Sequence, residues 1–320
     1  MPCLTFKGQQ YQMLADETVL DCLLRHGVNY PNSCQSGVCQ ACLIKTSEPQ
    51  HIKVSWQQGL KPTLATDGYF LACQAKPEAD FSCHQPSTAD SASFAKIMSK
   101  KMLNHNVLCL RLTTNDYHSW KAGKYLNLVN PGGIIRSYSI ANLPHRDKFI
   151  ELHIKLYPNG LMADWLITPA KVGTKIQLRG PIGSCFYANP DHQPFPMILI
   201  GTGTGLAPLI GILKDALDQH HQGRQILIHG GANSEDLYFD QQLTELDQRH
   251  ANFTYYSTAR DSENASSLDA LLEAAVQTNK DANVYVCGSE KVTNQLKMKA
   301  FLAGIASAAI YSDTFLHSAK

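Results

Sequence analysis

The chain has 320 residues, of which 44% are hydrophobic and 17% charged, and a formal net charge of +1. This is the composition of a folded globular protein with room for about two or three cores, and it gives no electrostatic ground for nucleic-acid binding. No stretch approaches the roughly 20 apolar residues of a membrane span, and MPCLTFKGQQYQMLADETV lacks the basic start and apolar run of a signal peptide. The expected location is therefore the cytoplasm. Ten cysteines in a reducing compartment point to metal ligands before disulfides.

Two short β-like runs open the chain, followed by a helical pattern over Glu17–His26 with Val19, Leu20, Leu23 and Leu24 on one side. A cysteine-dense loop comes next. Cys34, Cys39 and Cys42 form C-x4-C-x2-C, and Cys73 stands 31 positions further on, the spacing of a plant-type [2Fe–2S] cluster. Two irons need four thiolates, three from a loop that wraps the cluster and one from a distant segment that closes it. Ser33, Ser36 and Gly37 give that loop a small backbone whose amides can approach the sulfides. A structural zinc site would pair C-x2-C with a second C-x2-C, which this arrangement does not do. The stretch SCQSGVCQAC resembles the cluster loop of plant-type ferredoxins, and the resemblance covers residues 2–83. Cys3, Cys22, Cys83, Cys109 and Cys185 read as small buried residues without chemistry.

HQPSTADS, residues 84–91, reads as a linker. Beyond it the pattern is mostly strands, at Val107–Leu112, Tyr125–Val129, Ser137–Ile140, Phe149–Tyr157 and Lys175–Leu178, with one helix at Gly160–Ile167. Ile150, Leu152, Ile154 and Leu156 alternate cleanly, as in an antiparallel barrel. From about Gln193 the rhythm becomes strand then helix. Met197–Ile200, Gln225–His229, Phe253–Tyr256 and Asn283–Cys287 alternate with helices at Leu206–Gln219, Asp236–Arg249, Ser267–Gln277 and Lys291–Leu302. That is a doubly wound parallel sheet. The expected division is a ferredoxin domain of β-grasp (α+β) type over 1–84, a linker over 85–92, an antiparallel β-barrel over 93–192 and an α/β nicotinamide-binding domain over 193–320. His220, His221 and His250 read as solvated helix ends.

The barrel segment KAGKYLNLVNPGGIIRSYSIAN resembles the FAD domain of the ferredoxin–NADP reductase superfamily, whose R-x-Y-S strand binds flavin. The resemblance implies that Arg136 neutralises the pyrophosphate, for which a guanidinium fork suits paired oxygens. It implies that Ser137 shares that strand, that Tyr138 packs on the isoalloxazine, and that Ser139 hydrogen-bonds near flavin N5. His153 and Lys155 point away from the barrel core and are either a solvated face or flavin contacts. Gly160, Leu161, Met162 and Ala163 open a helix whose amides suit the pyrophosphate. Relatives commonly carry Ser or Thr at the place of Ala163.

In the last third, Gly201-Thr202-Gly203-Thr204-Gly205 with Pro208 joins a strand to a helix, where glycines let the backbone approach a pyrophosphate. This G-x-G-x-G-x-x-P resembles the superfamily's nicotinamide-binding turn. Cys287-Gly288-Ser289 resembles its Cys-Gly motif, which implies Cys287 near nicotinamide C4. Tyr311–Phe315 resembles its terminal strand, which implies that Phe315 shields the flavin. Arg260 could meet a 2′-phosphate, but without a second cation NADH is expected over NADPH.

The order ferredoxin, FAD barrel, nicotinamide domain is similar to the reductase components of bacterial oxygenases and to the reductases of deoxysugar biosynthesis. What that implies is hydride transfer from NADH to FAD, then single electrons through the [2Fe–2S] cluster to a partner protein, an oxygenase in the first reading. A deoxysugar dehydratase is the alternative partner, and a ferredoxin-like scaffold with an inactive flavin half is the rival from another class. A monomer is expected.

Overall fold

The computed structural model describes residues 2–30, 32, 35, 37, 42–60, 62–85, 93–115, 120–262 and 266–315. They divide into two units, Met1–Thr88 and Ala89–Lys320.

In the first unit β1 (Cys3–Phe6) and β2 (Gln9–Gln12) form a hairpin, with Phe6 opposite Gln9. Its two-residue turn, Lys7 and Gly8, has φ of 51° and 77°. Two left-handed residues match the right-handed twist of the paired strands. Next come α1 (Val19–Arg25), β3 (Leu43–Lys45), α2 (Pro62–Thr66), β4 (Tyr69–Leu71) and β5 (Phe81–Cys83). The helix starts two residues later than its apolar pattern because Thr18 caps it, accepting from the Asp21 amide at 3.1 Å. β5 lies parallel to β1, and β3 pairs with β4. Leu4, Phe6, Val19, Leu20, Leu23, Phe70 and Phe81 make a core of their own, in the β-grasp manner expected.

The second unit begins with β6 (Ser93–Met102), β7 (Val107–Thr113), β8 (Tyr125–Val129), β9 (Ile135–Ser139), α3 (Pro144–Asp147), β10 (Ile150–Lys155), α4 (Leu161–Ile167) and β11 (Lys175–Ile182). The strands are antiparallel in the order β10-β7-β6-β11-β8-β9. Ile140, just past β9, bridges to Leu152 on β10, and the Ala141 amide donates to the Glu151 carbonyl at 2.9 Å, so the sheet closes into a barrel. β6 was not expected. Only Ala95 and Ile97 point inward from it, a bulge after Ile97 breaks the alternation, and three lysines make it read as polar.

The chain then runs through β12 (Met197–Thr202), α5 (Leu206–Asp218), β13 (Gln225–Gly231), α6 (Asp240–Arg249), β14 (Phe253–Ala259), α7 (Leu268–Thr278), β15 (Asn283–Ser289), α8 (Glu290–Leu302) and β16 (Ile310–Phe315). All five strands are parallel, in the order β14-β13-β12-β15-β16. The order reverses between β12 and β15, which opens a crevice at their C-terminal ends. His221 departs from expectation. It is buried, with Nε2 2.8 Å from the Phe195 carbonyl and Nδ1 3.0 Å from the Tyr187 hydroxyl. Among the described residues no helix is long and apolar enough to cross a membrane.

Candidate functional site

The β3–β4 ladder brings two of the four cluster cysteines together. Leu43 faces Leu71, so Cys42 before one strand and Cys73 after the other converge, and the Ala72 amide donates to the Cys42 carbonyl at 3.1 Å. Both thiols are buried and in contact with each other. Burial pushes Cys42 up to about 11, so a metal that binds there displaces a proton. Gly37, at φ 83°, lies against Gln74, whose side chain would stand 3.3 Å from any Cβ added there. Gln74 in turn reaches the Cys73 sulfur at 3.5 Å. Gly37 thus lies against the Cys73 segment, and the donors described there, Cys42 and Cys73, are thiols, which suits iron–sulfur. Cys34 and Cys39, with Ser33 and Ser36, lie outside the described residues.

On β9, Ser137 donates to the Asn127 side chain at 2.7 Å. The Arg136 guanidinium bonds the Ile135 carbonyl at 2.8 Å, and among the described residues no carboxylate pairs with it. That leaves its charge for an anion, which fits a pyrophosphate. Burial pushes the Tyr138 phenol up, and its ring packs on the barrel core. Ahead of α4, Gly160 sits so close to the Tyr157 carbonyl that a Cβ would approach it to 2.9 Å. Met162 and Ala163 are buried and Leu161 is exposed, so what this turn offers a phosphate is backbone amides rather than side chains.

Ser139 ends β9, is buried, and donates its hydroxyl proton to Asp313 Oδ2 at 2.6 Å. Asp313 lies on β16 directly beside Cys287 of β15, and Phe315 lies beside Ser289. Burial pushes the Asp313 carboxyl up, partly offset by the Ser139 hydrogen bond. The barrel edge and the crevice of the parallel sheet therefore meet at Ser139, Asp313 and Cys287. Asp313 was missed in the sequence. Its signal is a single carboxylate inside the otherwise uncharged strand that carries Phe315.

The glycines of the β12–α5 turn are dictated by Cys287. A Cβ on Gly201 would come within 2.7 Å of the Cys287 carbonyl oxygen, and one on Gly205 within 2.2 Å. Thr202 Oγ1 packs equally close on Gly288, which has φ 147°. Gly203, Thr204 and Gly205 form one 3-10 turn, and Pro208 is buried in the first turn of α5. The Cys287 sulfur is itself fully buried, 3.7 Å from Cys185, and burial with Cys185 and Asp313 raises its pKa well above the ordinary thiol value. It is a neutral thiol beneath the crevice, not an exposed nucleophile.

His153 departs from the solvated-face reading, and Lys155 is partly buried with its side chain engaged. The His153 ring is buried, with Nδ1 3.2 Å from the Tyr238 hydroxyl and Nε2 3.3 Å from Glu151, and it meets Phe239 edge-on. Lys155 reaches Asp236 at 3.3 Å. Both positions tie the outside of β10 to the loop after β13. Burial holds His153 neutral. Burial acts to raise Glu151, but the His153 hydrogen bond, Lys214 and Arg111 outweigh it and keep the carboxyl below its ordinary range.

A cavity of about 370 Å³ lies past the ends of β13 and β14, lined among others by Gly231, Thr258, Arg260, Ser267, Asp269 and Gln295. Arg260 is exposed, and Asp269 is held by Gln295 at 2.8 Å and Lys299 at 3.3 Å.

Three family profiles match: a 2Fe-2S iron-sulfur cluster binding domain over residues 4–78, an oxidoreductase FAD-binding domain over 94–187 and an oxidoreductase NAD-binding domain over 199–297. Fold and site define a flavin- and iron–sulfur-dependent NAD(P)H oxidoreductase. The reductase subunit of an aromatic O-demethylase from Amycolatopsis is 33% identical over 267 residues, 79% of each chain. The toluate 1,2-dioxygenase electron transfer component of Pseudomonas putida is 27% identical over 318 residues, 95% of this chain and 94% of its own. The crystal structure of the Amycolatopsis cytochrome P450 reductase GcoB superposes with a TM-score of 0.64 at 27% identity, covering 98% of this chain and 99% of that one. The chain belongs to the ferredoxin–NADP reductase superfamily, among the iron–sulfur flavoprotein reductases of oxygenase systems.

Proposed function

We propose that this protein draws hydride from NADH onto FAD and delivers single electrons through its [2Fe–2S] cluster to an oxygenase. The observation that carries the reading is the junction of Ser139, Asp313 and Cys287, where a flavin strand and a nicotinamide crevice share one point. The relatives support the partner class, since one serves toluate 1,2-dioxygenase and the other an aromatic O-demethylase. A deoxysugar dehydratase and an inert scaffold have no comparable support. FAD supplies the change from two-electron to one-electron chemistry. Arg136 and the amides ahead of α4 hold its pyrophosphate, Tyr138 its ring. Ser139 donates its hydroxyl hydrogen bond to Asp313, so its oxygen would face the flavin as an acceptor. Cys34, Cys39, Cys42 and Cys73 hold the cluster. We divide the chain at 1–84, 85–92, 93–192 and 193–320, take it as a monomer, and place it in the cytoplasm, where free thiols persist. Purified protein mixed with NADH and a cognate oxygenase should sustain turnover, and failure with every oxygenase class represented among the relatives would refute the partner assignment.

NADH is expected over NADPH because, among the described residues lining the cavity beyond β14, Arg260 is the one exposed cation and Asp269 a carboxylate. A 2′-phosphate would meet Asp269 as well as Arg260. Comparing kcat/KM for the two cofactors tests this. Asp269→Asn should narrow the gap on the order of tenfold, the size of one nearby charge at intermediate screening. A larger value for NADPH in the unmodified protein would refute the assignment.

Asp313 should trade stability for activity. Its raised pKa means that the folded state disfavours the ionised form. The penalty is absent below the ordinary value of 3.8 and grows as pH rises through the folded value. Asp313→Asn should therefore raise Tm at pH 7, lose that advantage near pH 4, and slow flavin reduction by NADH. A variant less stable than the parent at pH 7 would show that the buried carboxylate is compensated.

A further inference from the structure

After the apolar run Ile226, Leu227 and Ile228, β13 carries His229, which is fully buried and stands beside Gly201 of β12 in the sheet register. An imidazole at that depth costs free energy unless it is hydrogen-bonded. Its Nε2 lies 3.3 Å from the Gly203 carbonyl, and its Nδ1 has no hydrogen-bond partner among the described residues. Burial pushes His229 down to about 4, against the Gly203 bond and the carboxylates of Asp240 and Asp236, which act the other way. The ring is therefore neutral at pH 7 and carries one hydrogen. A carbonyl can only accept, so that hydrogen is on Nε2 and Nδ1 is a bare acceptor.

The acceptor belongs to the β12–α5 turn. Gly203 has φ 52°, and a Cβ there would meet nothing within 4 Å, so this glycine serves the direction of the backbone and not the space around it. Its carbonyl also accepts from the Leu206 amide, which opens α5. The carbonyl and amide of one trans peptide point opposite ways. With the Gly203 carbonyl drawn to His229, the Thr204 amide is turned away from β13. Thr202, Gly203 and Thr204 are the partly exposed residues of the turn, between buried Gly201 and Gly205. The imidazole is itself wedged in place. The Tyr238 ring meets it edge-on at 5.7 Å, and the Tyr238 hydroxyl is held by His153 of the barrel at 3.2 Å.

We propose that His229 is a positioning residue for the nicotinamide cofactor: through Nε2 it fixes the Gly203–Thr204 peptide with the Thr204 amide toward the pyrophosphate. The inference deepens the nicotinamide reading above and rests on it. An amide so directed contacts a part of the cofactor that does not react. It holds ground state and transition state equally, which moves KM and leaves kcat. A shift of the Cys287 backbone is different, because it disturbs the reacting centre itself.

NADH-dependent ferricyanide reduction by the holoprotein tests this, with thermal melts and FAD content measured alongside. His229→Leu is close in size and lacks the donor. It should keep its FAD, Tm and kcat, and raise both the KM for NADH and the inhibition constant of ADP-ribose by about 3–10-fold, the worth of one hydrogen bond. His229→Gln places an amide donor where Nε2 stood and should restore most of the loss. His229→Met takes the place of the leucine variant if that one misfolds. Unchanged KM and ADP-ribose inhibition in His229→Leu overturn the proposal. A fall in kcat and Tm at constant KM also overturns it, since that marks a purely structural histidine, and so does a glutamine variant as impaired as the leucine one. An unmodified protein that does not oxidise NADH overturns the nicotinamide reading and the proposal with it. One that oxidises NADH no differently from its variants overturns the proposal alone.

Discussion

Replacing Cys73 by Ser is expected to separate the two halves of the electron path. The cluster loses a thiolate that comes from outside the C-x4-C-x2-C loop, and its remaining neighbour Cys42 is a buried thiol with nothing else to share a metal with among the described residues. Iron content should fall sharply. The barrel and the parallel sheet draw their cores from Leu110, Leu152, Leu199, Val286 and their neighbours, not from the ferredoxin unit, so FAD content and NADH binding should persist. Ferricyanide, small enough to collect electrons at the flavin, should be reduced at close to the parental rate. Cytochrome c or the oxygenase, which needs a protein exit, should slow by on the order of 10–100-fold, at least what a lesser change at a metal site costs. Equal retention of both activities would place the exit at the flavin. Equal loss of both would mean that the ferredoxin unit and the reductase half do not act as modules.

Much of this was legible because the strongest signals are covalent or periodic. Four cysteines at ferredoxin spacing cannot be moved without losing the cluster, so the spacing survives any surrounding change. The parallel strands, buried on both faces, read as unbroken apolar runs such as Met197–Ile200. What was not legible depends on contacts between distant segments. β6 hides because its bulge shifts the inward phase after Ile97. His153 alternates as a surface residue would, and only the approach of Tyr238, 85 positions away, makes its face interior. Asp313 becomes a functional candidate only through Ser139, 174 positions distant. His221 sits at a helix end with a polar neighbour, and nothing local signals that Phe195 and Tyr187 enclose it.

Gly205→Ala should damage the reductase half far more than one added methyl group ordinarily does. The position has φ −58° and ψ −20°, helical values that alanine adopts readily. By backbone preference alone the change would stabilise the fold by about 0.4–1 kcal/mol. The neighbours reverse the sign. The new Cβ would lie 2.2 Å from the Cys287 carbonyl oxygen and 2.7 Å from its carbon, and both belong to backbone that cannot rotate away. Either α5 or the end of β15 must shift, at a cost of about 1–3 kcal/mol for an overpacked interior. Cys287 and Gly288 move with that shift, and so does the crevice. A displacement of about 1 Å at a reacting centre costs on the order of 100-fold, so kcat/KM for NADH should fall by about that factor. FAD content and reduction of the cluster by dithionite should be unchanged, since neither uses this turn. Gly203→Ala is the control. Its φ of 52° costs alanine about 1–2 kcal/mol, but a Cβ there meets nothing within 4 Å, so its effect on kcat/KM should be far smaller. If the two variants prove alike, backbone conformation and not the closeness of Cys287 governs the turn; if Gly205→Ala proves harmless, the Cys287 carbonyl is not the fixed wall described above.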